Sequence, residues 1–152
     1  MARSGAFFVT GPEKIDLKDP EAFRHWHRIT IRSADEDPLG HVNNTIYAVW
    51  IEVARVMLIK PYLDVSPDWM NTVLASMTID FLNETQFPGD VDVGAVLTRI
   101  GNRSLHSAYG VFRDGQCLAT SRCVNVYFDT RSRRSTAPSD AMRGLMEQDL
   151  VV

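Results

Sequence analysis

Thr45-Ile46-Tyr47-Ala48-Val49-Trp50-Ile51-Glu52-Val53-Ala54-Arg55-Val56-Met57-Leu58-Ile59-Lys60 is the stretch that decides the fold. It has helical length and good helix formers, and Pro61 is expected to stop it. Apolar residues recur on every side, so almost no polar face is left. Glu52 and Arg55 are the main charged interruptions, and their spacing of three lets them pair along one edge. A helix apolar all round is buried on most sides. This one is too short to cross a bilayer, so a protein shell has to surround it.

The shell is legible downstream. Val73, Ala75, Met77, Ile79 and Phe81 alternate with Ser76, Thr78 and Asp80, and Val91, Val93, Ala95 and Leu97 alternate with polar neighbours. Both runs have strand period. Pro88-Gly89-Asp90 marks a turn between them. Gly101-Asn102 offers a two-residue turn into a strand over 103–112. Asp114-Gly115, a pair suited to positive φ, offers another into a strand over 116–128. These four strands are expected to follow one another as an antiparallel meander. A further strand is expected over His25–Arg32, upstream of the helix, and a short helix over Ser139–Met146 with Ser139 as its N-cap. No alternation of strand and helix suggests a parallel sheet. The expectation is an α+β fold, one antiparallel sheet curled around one apolar helix. Residues 1–22 read as an extended arm and 23–152 as a single domain. Such a sheet exposes edges and part of a face, so a homo-oligomer, dimer or tetramer, is expected.

At 152 residues the chain is about one domain and can bury a core without disulfides. An apolar share of 45% with 23% charged residues excludes a largely disordered chain. The net charge of -3 argues against nucleic acid as a partner. That total hides an asymmetry: residues 1–98 carry 8 Lys and Arg against 14 Asp and Glu, and residues 99–143 carry 8 Arg against 3 Asp. The basic part is expected to meet something anionic. Cys117 and Cys123 are six apart, which places them on one face of a strand, unable to bridge each other in an extended segment. The four histidines are scattered and no metal-ligand spacing occurs, so no metal is expected. There is no signal-peptide core and no membrane-spanning run, so the chain reads as a cytoplasmic protein.

The chemistry is expected just before the helix, at Asp35-Glu36-Asp37-Pro38-Leu39-Gly40-His41-Val42-Asn43-Asn44. Two readings compete there. Asp-Pro-x-Gly is a type I turn signature, and Asn43 and Asn44 are ordinary capping residues. Against that, a helix N-terminus holds unpaired N–H groups able to receive an oxyanion, and a carboxylate beside it can act as nucleophile or general base on an acyl carbon.

Asp37-Pro38-Leu39-Gly40-His41-Val42-Asn43-Asn44, followed by Tyr47, Glu52 and Ala54-Arg55, resembles the signature of the hotdog-fold acyl-CoA thioesterases of the 4-hydroxybenzoyl-CoA thioesterase type. Acyl carrier protein thioesterases are relatives. The resemblance runs from Trp26 to Pro138 and includes Gly101-Asn102-Arg103-Ser104-Leu105 and the segment from Asp129. It implies a hotdog fold, with an antiparallel sheet wrapped around a long central helix. It also implies hydrolysis of an acyl thioester. The family's catalytic acid falls on Asp37, with Asp35 as the rival, and its oxyanion-binding backbone N–H falls at or near Asn44. Asn43 is left to order the loop, and His41 to take either a chemical or a packing role. Glu52 either pairs with Arg55 or supplies an acid from the helix. No cofactor is implied, because coenzyme A arrives as part of the substrate, with an acyl carrier protein as the alternative carrier.

Coenzyme A phosphates call for cationic contacts, and Arg103, Arg131, Arg133 and Arg134 are the candidates, against the reading of a solvated basic turn. Ser104 is a candidate contact to the pantetheine arm or a plain strand-edge hydroxyl. Two rivals keep the fold and change the function. One is a hotdog dehydratase or hydratase, whose catalytic His precedes aromatic and proline residues that His41 lacks. The other is a non-catalytic acyl-thioester-binding module.

Overall fold

A computed structural model describes residues 15–151. Its elements are β1 (His25–Thr30), α1 (Asn44–Asp64), β2 (Met70–Phe81), β3 (Asp90–Ile100), β4 (Ser104–Arg113), β5 (Gln116–Asp129), β6 (Arg134–Ser135) and α2 (Asp140–Asp149). The strands form one antiparallel sheet in the order β1-β3-β4-β5-β2, with the two-residue β6 added to β5. One face wraps α1, which is the hotdog arrangement.

The meander is shorter than expected. Only β3, β4 and β5 are consecutive neighbours, and β2 lies beyond β5 at the sheet edge. Pro88-Gly89 therefore belongs to an eight-residue crossing, residues 82–89, and not to a hairpin turn. The turn at Asp114-Gly115 has φ of 51° and 77°, the positive pair that its sequence requires. The connection after β3 spans Gly101–Arg103, one residue longer than expected.

Helix α1 runs through Pro61 to Asp64 instead of stopping before it. Tyr62 is buried in the core, and Lys60 pairs with Asp64 at i,i+4. Packing of that last turn outweighs the hydrogen bond that a proline nitrogen cannot make. The helix is also less enclosed than its composition implied. Tyr47, Trp50, Ile51, Ala54, Leu58 and Ile59 face the sheet, while Val49, Val53, Val56 and Met57 form a stripe 42–50% exposed. Arg55 is buried and forks onto Glu52.

Register shifts bend the sheet around the helix at Leu74/Ser76, Leu97/Arg99 and Val111/Phe112. The last of these leaves Leu118 unpaired on β5, and side-chain alternation reverses there. Cys123 accordingly joins the core under α1, whereas Cys117 packs on the opposite face, and the two do not share a face as their spacing suggested. Both are free thiols.

That opposite face carries a second, smaller core of Leu17, Phe23, Val96, Ala108 and Phe112. Of the expected arm, residues 1–14 lie outside the described residues. Residues 15–22 hold a 3-10 turn at Pro20–Ala22, capped by Asp19. Helix α2 begins one residue after Ser139, whose hydroxyl accepts from the Met142 N–H as expected of an N-cap. Among the described residues no helix is long and apolar enough to cross a membrane.

Candidate active site

The loop before α1 is a pair of nested turns. Gly40 N–H donates to the Asp37 carbonyl at 3.0 Å, and Gly40 has φ of 78°, a value that costs glycine little. Asp37 N–H donates to the His41 carbonyl at 2.8 Å, and Glu36 bridges Val42. Pro38 and Leu39 are thereby pushed to the tip, with Leu39 81% exposed.

The two acids of the Asp-x-Asp pattern part company here. Asp35 is 1% exposed. It accepts from the Arg32 N–H at 2.8 Å and from the Arg32 guanidinium at 2.7 and 3.0 Å, and its own carbonyl holds the Asn43 N–H. Burial alone would push its carboxyl up, but the Arg32 hydrogen bonds and charge outweigh that, and the net shift is downward. Asp37 is half-buried and lines an open pocket. One of its oxygens, Oδ1, caps the turn by accepting from Leu39 N–H at 2.9 Å, with a long 3.5 Å contact to His41 N–H. Its Oδ2 has no partner among the described residues.

The first turn of α1 closes one side. Asn43 caps the helix by accepting from the Thr45 N–H and hydroxyl, both at 2.9 Å. Ile46 N–H goes to the Asn43 carbonyl. The Asn44 N–H makes no hydrogen bond to any described residue and so remains an unspent donor at the positive end of the helix.

The far wall comes from residues 81–84, which the sequence reading missed. Asp37, Leu39, His41, Asn43, Asn44, Tyr47, Phe81, Leu82, Asn83 and Glu84 enclose a pocket of about 450 Å³. Glu84 Oε2 lies 3.1 Å from His41 Nδ1. Tyr47 is buried, with its ring edge-on to Phe81, and burial plus the Glu84 charge raises its phenol so that it stays protonated. No sequence signal singled out Glu84. It sits on a crossing that looked like a turn, and only the placement of β2 beyond β5 delivers it to the loop.

The structure brings Asp37, His41, Asn43 and Asn44 together around this pocket. It does not bring the candidate arginines there. Phe81 at the pocket pairs with Ala119, whereas Arg131, Arg133 and Arg134 follow the Asp129 end of β5. Ten residues of strand, roughly 30 Å, separate the two ends. Arg131 forks onto Asp129 and stacks 4.1 Å over Trp69. Arg133, at φ of 57°, lies 5.8 Å over Phe128. Arg134 is exposed on β6, and Arg103 holds Ser135. Ser104 contacts His106 at 3.4 Å, also at the far end. Among the described residues no group of three or more His, Cys, Asp or Glu side chains is gathered as a metal site.

A carboxylate oxygen and a helix N–H that have no partner among the described residues, with an imidazole 3.1 Å from a carboxylate in the same pocket, are suited to acyl transfer. Comparison with known proteins gives the same direction. The sequence pattern of the thioesterase-like superfamily matches residues 31–145. A solved structure described as a predicted thioesterase from Bacillus stearothermophilus superposes with a TM-score of 0.77 at 30% identity, covering 83% of this chain and 96% of that one. A thioesterase from Thermus thermophilus, solved in complex with coenzyme A and Zn, superposes with a TM-score of 0.70 at 29% identity, covering 82% and 98%. The Bacillus subtilis protein YsmA is 24% identical over 134 residues, covering 85% of this chain and 91% of that one. With the pattern spanning most of the described fold, including the pocket, the chain belongs to the thioesterase-like superfamily.

Proposed function

We propose that the protein is an acyl-CoA thioesterase with Asp37 as its catalytic acid. The observation that carries this is the unpartnered Asp37 Oδ2 in the same pocket as the unspent Asn44 N–H. A thioester carbonyl seated there points its oxygen at the Asn44 N–H, where negative charge developing in the transition state meets the helix dipole. Two routes use this geometry. Asp37 attacks the carbonyl carbon, the C–S bond breaks, and water opens the resulting anhydride. Alternatively, Asp37 takes a proton from a water that attacks, and returns it to the departing thiolate. Both yield a free acid and a thiol, and neither requires a resident cofactor, since coenzyme A belongs to the substrate. His41, with Nδ1 3.1 Å from Glu84 Oε2, is offered as a second proton carrier in the pocket.

A homo-oligomer completes this reading. Among the described residues strand β2 pairs with β5 alone and its other edge has no partner, and α1 carries the exposed Val49–Met57 stripe. Two copies joined antiparallel along β2 would cover both. Met70 pairs with Asp129, so the Arg131–Arg134 tail would travel with the Met70 end of β2. In that dimer the partner subunit's Arg131 would come to the Phe81 end, beside the pocket. This supports phosphate contacts by the arginines across the interface.

A thiol-release screen over acyl-CoAs and acyl carrier protein thioesters tests the proposal. The expected result is hydrolysis that Asp37→Asn abolishes. Binding without hydrolysis across the whole panel would favour a non-catalytic thioester-binding module instead.

A further inference from the structure

Residues 84–88 wall an open hollow of about 580 Å³ that Arg113 and Asp114 also line. Of these five residues Glu84 also lines the active-site pocket, and Thr85 is buried. On the side of the loop before α1, Val42 N–H donates to the Thr85 carbonyl at 2.9 Å, and Phe87 N–H donates to Glu36 Oε1 at 2.7 Å. From the sheet comes Arg113, the last residue of β4. Its guanidinium donates to Thr85 Oγ1 at 2.9 Å, to the Gln86 carbonyl at 2.6 Å and to the Pro88 carbonyl at 2.7 Å. The next residue of the wall is Gly89, at φ of 138°, where a Cβ would overlap the guanidinium. Backbone and side chain are thus fitted to each other.

We propose that Arg113 is a positioning residue for the active site, which by clamping residues 85–88 holds the Glu84 carboxylate against His41. This rests on the thioesterase reading for its consequence and on geometry alone for its mechanism. The planar fork of Arg reaches three acceptors on one segment, and a lysine ammonium lacks that fork. Those bonds take three of the five guanidinium N–H groups and turn the side chain toward this segment.

The experiment combines kinetics with imidazole ¹⁵N spectra of the purified protein, using Arg113→Met, Arg113→Lys, Glu84→Gln and the Arg113→Met/Glu84→Gln double variant. Misplacing a pocket group is expected to lower kcat about 10- to 100-fold with KM within about twofold. In the Glu84→Gln background the second substitution is expected to add less than about twofold, because both act through one contact. The His41 ring signals of Arg113→Met should move to where Glu84→Gln moves them, with Arg113→Lys moving in the same direction. Fully additive losses, or ring signals in both Arg113 variants like those of the wild type, overturn the proposal. If the wild type hydrolyses no thioester, the functional reading fails while the spectra still decide the role of Arg113.

Discussion

Asp35 and Asp37 are two residues apart and stand in opposite surroundings: Asp35 is closed off beneath Arg32, and Asp37 lines the pocket with one oxygen unpartnered among the described residues. The loop between them turns the chain, so proximity in sequence does not mean equivalence in chemistry. Asp37→Asn keeps the acceptor that caps the turn and loses the base. It is expected to lower kcat by at least about 100-fold while leaving the urea midpoint within error of wild type. Asp35→Asn removes a charge-assisted pair from a buried acceptor and is expected to cost about 1–3 kcal/mol of stability. Loss of activity in Asp35→Asn without loss of stability, alongside full activity in Asp37→Asn, would reverse the assignment.

Acid should unfold the protein partly through two carboxylates. Asp129 is held down to about 2 by its side-chain bond to Arg131, aided by the Arg131 and Ser132 backbone N–H groups. Asp35 is also held below the ordinary carboxylate value. A carboxyl that is more acidic when folded contributes stability that is complete above its unfolded value of about 4 and is lost as the pH falls through the folded one. The urea midpoint is therefore expected to be flat in these contributions above pH 4 and to fall toward pH 2. The fall should be shallower in Asp129→Asn and Asp35→Asn. Equal steepness in wild type and both variants would assign acid unfolding to other groups.

Gly94 and Gly110 are paired across β3 and β4, and together they form the socket for the Phe23 ring. A Cβ at Gly94 would stand 2.5 Å from Phe23, and one at Gly110 would stand 2.5 Å from Phe112 and 2.8 Å from Phe23. Either Gly→Ala change is expected to cost about 1–3 kcal/mol by overpacking. In a Phe23→Gly background the Gly94 penalty should largely vanish, since the Cγ, Cδ2 and Cβ atoms that the new Cβ would strike are all gone. Chemical denaturation of the double variant checks this, and an unchanged penalty would remove Phe23 from the explanation.

How far the sequence carried the reading follows from which forces act locally. Hydrophobic period placed α1 and the strands, and Asp114-Gly115 specified its own turn, because both signals reside within a few residues. Pro61 misled because a propensity was overruled by burial of Tyr62 and the packing of the last helical turn. The order of β2 was invisible because strand neighbours are chosen by the whole sheet, and with that order went Glu84. The cysteine faces were misread because a single bulge at Leu118 inverts every side chain beyond it. The half of the pocket built from one contiguous motif was readable, and the half delivered by topology was not.

The exposed helix stripe yields the last prediction. Val49, Val53, Val56 and Met57 recur at helical spacing on the side of α1 turned away from the core, and the outer edge of β2 has no partner strand among the described residues. A lone chain would present both to water, and a second copy joined along β2 covers both. A Val53→Glu/Val56→Glu variant places charge on the stripe without entering the buried set of Trp50, Ile51, Ala54 and Leu58. It is expected to halve the mass measured by light scattering while far-UV circular dichroism stays that of the wild type. If the arginines act across the interface, KM for coenzyme A thioesters should rise in this variant. KM for an acyl thioester without the nucleotide should change less, because that substrate has no phosphates for the partner subunit's Arg131 to hold. A variant that keeps the wild-type mass would show that this stripe is not where copies of the chain meet.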